Sequence, residues 1–218
     1  MHHSGYRIRA VLFDFDGTLT HPGAIDFKSV KADLGCPPDQ PVLEYIQAMP
    51  KAQDRRQAME KLNQFEAEGA AGSRPNTGAR QIISWIKRHR LPVAIITRNS
   101  RDSVMLSLEN FENICADDFD IIITRDDPLA PKPSGDGIIW AAEQLQVAPG
   151  EVLMVGDYIF DLQSGRAGGA LTALLDPVDS SRLQSVACDF RIQRLDQLRA
   201  IILAGLPLID GVATCSRP

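Results

Sequence analysis

The chain has 218 residues, of which 44% are hydrophobic and 23% charged, with a formal net charge of -5. That is enough apolar material for one large core, or for one core and a small accessory module, and too much for a disordered chain. With no block of like charge, a nucleic-acid or membrane-surface role has no electrostatic support, and no apolar run reaches the roughly 20 residues of a membrane span.

The first residues, Met1 to Ser4, are followed by Arg7, Arg9 and Asp14 rather than by an apolar signal region, and His2 and His3 are given no role. Arg7–Phe13 ends in the apolar run Ala10-Val11-Leu12-Phe13 and predicts a buried strand, stopped by Gly17. From about 23 to 74 no strand-like run occurs. Pro37, Pro38, Pro41 and Pro50 divide this stretch into helical pieces over Ile25–Leu34, Pro41–Met49 and Lys51–Glu68, with Gly69–Gly78 as a return linker. In the last piece Met59, Leu62 and Phe65 form a stripe that packs against a neighbouring helix. A helix over Gly78–Arg90 presents Ile82, Trp85, Ile86 and His89 on one face, and Trp85 and Trp140 are read as packing residues.

Further apolar runs predict strands at Leu91–Thr97, Phe119–Thr124, Glu151–Gly156 and Ala170–Leu175, separated by helical patterns at Ser100–Asn110, Ser134–Gln146 and Phe160–Ala167. Asp196–Ala204 closes as a helix, and the tail after Gly205 is unassigned. Short continuous apolar strands alternating with helices require a parallel sheet covered on both faces. The expected fold is therefore α/β: a Rossmann-like parallel sheet sandwiched by helices, residues 1–22 and 75–218, with a small helical cap, residues 23–74, inserted after the first strand. An insertion there sits above the carboxyl edge of the sheet, where open α/β folds bind ligands. Cys36, Cys115, Cys188 and Cys215 are scattered without metal-ligand spacing, so neither a disulfide framework nor a zinc site is expected, and a reducing cytoplasm is the expected location.

The chemistry-bearing residues fall at predicted strand ends. Asp14 and Asp16 stand two apart directly after the first strand, where side chains of one parity face one side. Two carboxylates so close either share a proton or sit beside a cation, which suits a nucleophile, a proton donor or a metal ligand. By themselves they read equally well as a helix cap or a turn at a strand end. Asp157 ends the fourth strand and Asp161 lies one helical turn later; if the first and fourth strands are neighbours, Asp14 and Asp157 meet at one edge. Such a cluster of oxygen ligands favours a hard cation, Mg²⁺ first. Thr97 ends the second strand just before a helix start, a setting that suits a phosphate oxygen and equally an ordinary cap. Arg98 and Asn99 beside it are further phosphate-contact candidates. Lys132, held between Pro131 and Pro133, is a candidate for a fixed ammonium.

In this order, DFDGT, the Thr of ITRN, the Lys of APKPS and GDYIFD, the motifs resemble those of the haloacid dehalogenase superfamily of aspartate-nucleophile phosphatases, over about Ile8 to Leu175. The insertion is similar to the cap of phosphoglycolate phosphatase-like members, though shorter than usual. The resemblance implies that Asp14 attacks phosphorus and forms an aspartyl phosphate, and that Asp16 serves first as general acid, then as general base. It implies Mg²⁺ held by Asp14, Asp157 and the Asp16 backbone carbonyl, with Asp161 behind them or holding a water. Thr97 and Lys132 would bind the phosphoryl oxygens of a small phosphorylated metabolite. Asp16 argues against a dehalogenase or a phosphonate-cleaving relative. A sugar-phosphate mutase on the same core stays open, as does a non-catalytic phospho-ligand binding or scaffold protein. The substrate and the oligomeric state are not set by the sequence.

Overall fold

A computed structural model describes residues 6–178 and 185–204. Six parallel strands form one sheet: β1 (Ala10–Phe13), β2 (Val93–Ile96), β3 (Ile121–Ile123), β4 (Val152–Gly156), β5 (Leu171–Leu175) and β6 (Phe190–Ile192), in the order β3-β2-β1-β4-β5-β6. Five coincide with the apolar runs of the sequence. β6 was not among them: it is short, lies at the sheet edge and carries the exposed Arg191 at its centre, so it presents no continuous apolar signal.

Every residue of β1 is buried, because both faces of the sheet are covered. Val11 and Phe13 face a core shared with α4 (Ala79–Arg88), α5 (Arg101–Glu109) and α8 (Leu198–Ala204); Ala10 and Leu12 face a second core with α6 (Asp136–Gln144). This is the period-two alternation of a strand acting on two helical layers at once. α7 (Ile159–Ala167) packs on β4 and β5.

The chain leaves the sheet after β1 and builds α1 (Phe27–Leu34), α2 (Val42–Ala48) and α3 (Ala52–Ala71). Asp26 caps α1 by accepting from the Lys28 and Ser29 backbone N–H groups, and Gly35, at φ +67°, ends it in the left-handed conformation. These helices have a core of their own, including Val30, Ile46, Ala58 and Leu62. α3 runs past the predicted end at Glu68, and its buried face is Ala58, Leu62, Glu66 and Ala70, at four-residue spacing, with Met59 and Phe65 on the flank.

The outgoing and returning segments pair as an antiparallel ribbon: Thr20 bridges Pro75, the His21 N–H donates to the Arg74 carbonyl at 2.8 Å, and the Asn76 N–H to the Leu19 carbonyl at 2.8 Å. Trp85 packs against the core as expected, but Trp140 does not: it is 38% exposed on the outer side of α6, whose inward face is Ile138, Ala141 and Ala142. Among the described residues no helix is long and apolar enough to cross a membrane. Cys36, Cys115 and Cys188 are free thiols; Cys215, His2, His3 and the tail after Gly205 lie outside the described residues.

Candidate active site

Because β1 and β4 are neighbours in register, Phe13 opposite Val155, the residues that follow them leave the sheet side by side. This is also where successive connections run to opposite sides of β1, the crevice in which open α/β sheets place their ligands. Asp14, Asp157 and Asp161 there offer carboxylate oxygens that all lie within 4.8 Å of one another. Two close approaches depend on glycine. Gly17 has φ +80°, and a Cβ there would overlap the Asp157 carboxylate; a Cβ on Gly156 would overlap the Asp161 side chain.

Lys132, in the loop between β3 and α6, sits among these carboxylates. Its Nζ donates to Asp14 Oδ1 and, at 2.6 Å, to Asp161 Oδ1. All three partners are buried. Asp161 Oδ2 also accepts from the Tyr158 N–H at 2.9 Å, and Asp157 Oδ1 accepts from Thr18 Oγ1 at 3.0 Å. Asp14 Oδ2 takes no hydrogen bond from any described residue, and Asp14 lines the cavity above.

Three carboxylates thus surround one ammonium, leaving uncompensated negative charge in a poorly solvated place. Burial, then the Asp161 charge, hold Asp14 well above the usual carboxylate range against the pull of Lys132. Burial and Asp161 likewise push Asp157 up to about 6. Burial alone would favour neutral Lys132, but Asp14 and Asp161 outweigh it and raise its pKa, so the ammonium is firmly charged. Hard oxygen donors with excess negative charge are the donor set a divalent cation such as Mg²⁺ takes, and Asp14, Asp157 and Asp161 are the residues that could hold it.

Asp16 stands apart from that cluster. Its Oδ2 accepts from Asn99 Nδ2 and its Oδ1 from Thr20 Oγ1 at 3.5 Å. Burial pushes its pKa up to about 6, with the Asn99 hydrogen bond pulling the other way. Thr97 directly follows β2; its Oγ1 accepts the Asn99 N–H at 3.2 Å, so the hydroxyl proton is left to point elsewhere. Arg98 is turned toward the helical module: its guanidinium donates to the Lys132 carbonyl and, at 2.6 Å, to Glu44 of α2, and lies over the Phe160 ring, 4.9 Å from its centroid. All eight residues singled out from the sequence line one cavity of about 410 Å³ between the sheet edge and the helical module.

Two residues of this assembly escaped the sequence reading. Glu66 of α3 is buried beside the site, accepting from the Ser100 N–H at 3.2 Å and Ser100 Oγ at 3.1 Å and pairing with Arg125. Asn76, on the return segment, donates to the Gly17 and Thr18 carbonyls at 3.1 and 3.0 Å and so braces the turn that carries Asp16. Neither stands in a local pattern that distinguishes it from a solvated polar residue.

The family profile of haloacid dehalogenase-like hydrolases matches residues 11–175. The chain belongs to that family. An uncharacterized hydrolase of Saccharomyces cerevisiae, YOR131C, is 31% identical to this hydrolase over 170 residues, 77% of each chain. An N-acetylmuramic acid 6-phosphate phosphatase of Pseudomonas aeruginosa is 29% identical over 190 residues, covering 77% of this chain and 81% of the relative. In fold, the hydrolase is similar to the crystal structure of a predicted phosphoglycolate phosphatase from Haemophilus somnus: TM-score 0.69 at 16% identity, covering 89% of this chain and 97% of that one.

Proposed function

We propose that this hydrolase is a Mg²⁺-dependent phosphoric monoester hydrolase that acts on a small phosphorylated metabolite through an aspartyl-phosphate intermediate. What supports the reading above all is the convergence of the buried Asp14 and Asp161 and the half-buried Asp157 beside the Lys132 ammonium at the floor of a cavity. Bound Mg²⁺ would supply positive charge that offsets both the carboxylates and the phosphoryl oxygens.

Asp14 is the nucleophile. Its free Oδ2 attacks phosphorus, forming an acyl phosphate as the ester P–O bond breaks. Lys132 has three N–H donors, two of them engaged by Asp14 and Asp161; the third and the Thr97 hydroxyl hold phosphoryl oxygens. Asp16, with a pKa of about 6, is poised to protonate the leaving alcohol oxygen and then to take a proton from the water that attacks phosphorus from the other side. Asn99 holds the Asp16 carboxyl in place through both steps. The helical module, closing the cavity from above, excludes bulk water and contacts the rest of the substrate; on this reading residues 23–74 are the cap and the remainder the catalytic core.

The test is inorganic phosphate release from a panel of phosphomonoesters. We expect turnover with Mg²⁺, none after exhaustive chelation, and none from Asp14→Asn at unchanged circular dichroism. Full activity in chelator removes the metal from this account, and activity in Asp14→Asn removes the nucleophile.

A further inference from the structure

Beyond the aspartates the lining of the cavity is largely apolar. Ile25, Phe27, Val42, Leu43 and Leu62 come from the helical module, and Phe160 joins them from α7. Two aromatic rings at this wall are left open, Phe27 at 47% exposure and Tyr158 at 55%, and Tyr158 meets Phe160 edge to face with ring centroids 5.1 Å apart. Rings uncovered beside a cavity forgo burial that the apolar surface of a ligand would restore.

Two charged side chains of the same lining, Glu66 and Arg98, are already paired, while the exposed Tyr158 hydroxyl bonds to no described residue. Lys31 Nζ uses one of its three N–H groups on the Pro38 carbonyl at 2.6 Å, on the loop side of the module. Glu66 is taken up by Ser100 and Arg125. The Arg98 guanidinium joins Glu44 and the Lys132 carbonyl under the cover of Phe160. A polyhydroxylated substrate would bury most of its hydroxyls against alkyl and aromatic surface, and each one left unpaired costs roughly tenfold in affinity.

We infer that the natural substrate is a phosphomonoester whose alcohol portion is apolar or aromatic rather than a sugar. This rests on the phosphatase reading of the aspartate cluster and adds what the wall above it selects. Full-length protein with Mg²⁺ is assayed for phosphate release from three probes. Acetyl phosphate, with almost no body beyond the phosphoryl group, reports on the aspartate floor. Benzyl phosphate and glucose 6-phosphate are both esters of primary alcohols, so they differ in body rather than in the type of bond broken.

The expected result is a kcat/KM for benzyl phosphate that exceeds that for glucose 6-phosphate by roughly thirtyfold or more. Phe27→Ser, at an exposed position where folding is not at stake, should narrow that ratio by about fivefold, mainly through KM for benzyl phosphate. Acetyl phosphate turnover with equal or inverted preference between the two esters overturns this inference and leaves the phosphatase reading standing. A preference untouched by Phe27→Ser overturns the assignment of the wall as its origin. No release from any probe overturns the phosphatase reading itself.

Discussion

Replacing Asp16 by Asn should make the protein more stable while abolishing its turnover. Burial carries this carboxyl from its ordinary 3.8 to about 6, so at neutral pH the folded chain holds an ionised group that it would rather protonate. The sign follows: a carboxyl raised on folding imposes no penalty below pH 3.8, and the penalty grows as pH rises until it is complete above 6. At pH 7.5 it amounts to roughly 3 kcal/mol, and at pH 5, where the folded carboxyl is mostly protonated, to about half of that. Asn keeps an oxygen to accept from Asn99 Nδ2 and an amide that can donate to Thr20 Oγ1, so it resembles the protonated acid. Asp157 carries a similar penalty in both proteins and drops out of the comparison. Urea unfolding in the presence of chelator, at both pH values, measures the difference. We expect a gain of about 3 kcal/mol at pH 7.5 that shrinks to roughly half at pH 5. A gain of equal size at both pH values, or a loss at pH 7.5, refutes the argument that Asp16 is held ionised against its environment.

Two further perturbations probe the frame of the site. Gly17→Ala places a side chain on a backbone at φ +80°, which costs about 1–2 kcal/mol, and drives the new Cβ into the Asp157 carboxylate. Asp157 must move off Thr18, so the Mg²⁺ concentration for half-maximal activity should rise roughly tenfold; an unchanged requirement in a Mg²⁺ titration counts against Asp157 as a ligand. Glu66→Ala strips the carboxylate from the buried Arg125, which keeps only the neutral Asn63 and Arg98 carbonyl acceptors, and removes the acceptor of two Ser100 hydrogen bonds, a loss of about 3 kcal/mol, visible in thermal or urea unfolding. A change below about 1 kcal/mol would mean that Asn63, the Arg98 carbonyl and water satisfy Arg125 without the carboxylate.

Much of this molecule is written locally. Ala10–Phe13, Val93–Ile96 and Val152–Gly156 declare themselves as strands because a strand covered on both faces must be apolar at successive positions, whatever its neighbours are. A carboxylate that interrupts such a run marks the strand end, so Asp14 and Asp157 could be picked out, and chain order alone suggested what they would meet. Caps such as Asp26 and Ser100 are local for the same reason: each satisfies backbone groups two or three residues away.

Distance in sequence sets the boundary of that legibility. Strand order decides that β1 lies beside β4, and only then do Asp14, Asp157 and Asp161 share one place around Lys132. Glu66 reads as one more acidic residue of a charged helix until α3 is laid on α5, where Ser100 and Arg125 make its burial tolerable. Arg98 adjoins a phosphate-contact candidate in the sequence, yet its guanidinium reaches Glu44 across the cavity. The identity of a polar residue limits what it can bond to; which partner it has is an outcome of packing between segments far apart in the chain, and no pattern of neighbouring residues carries that information.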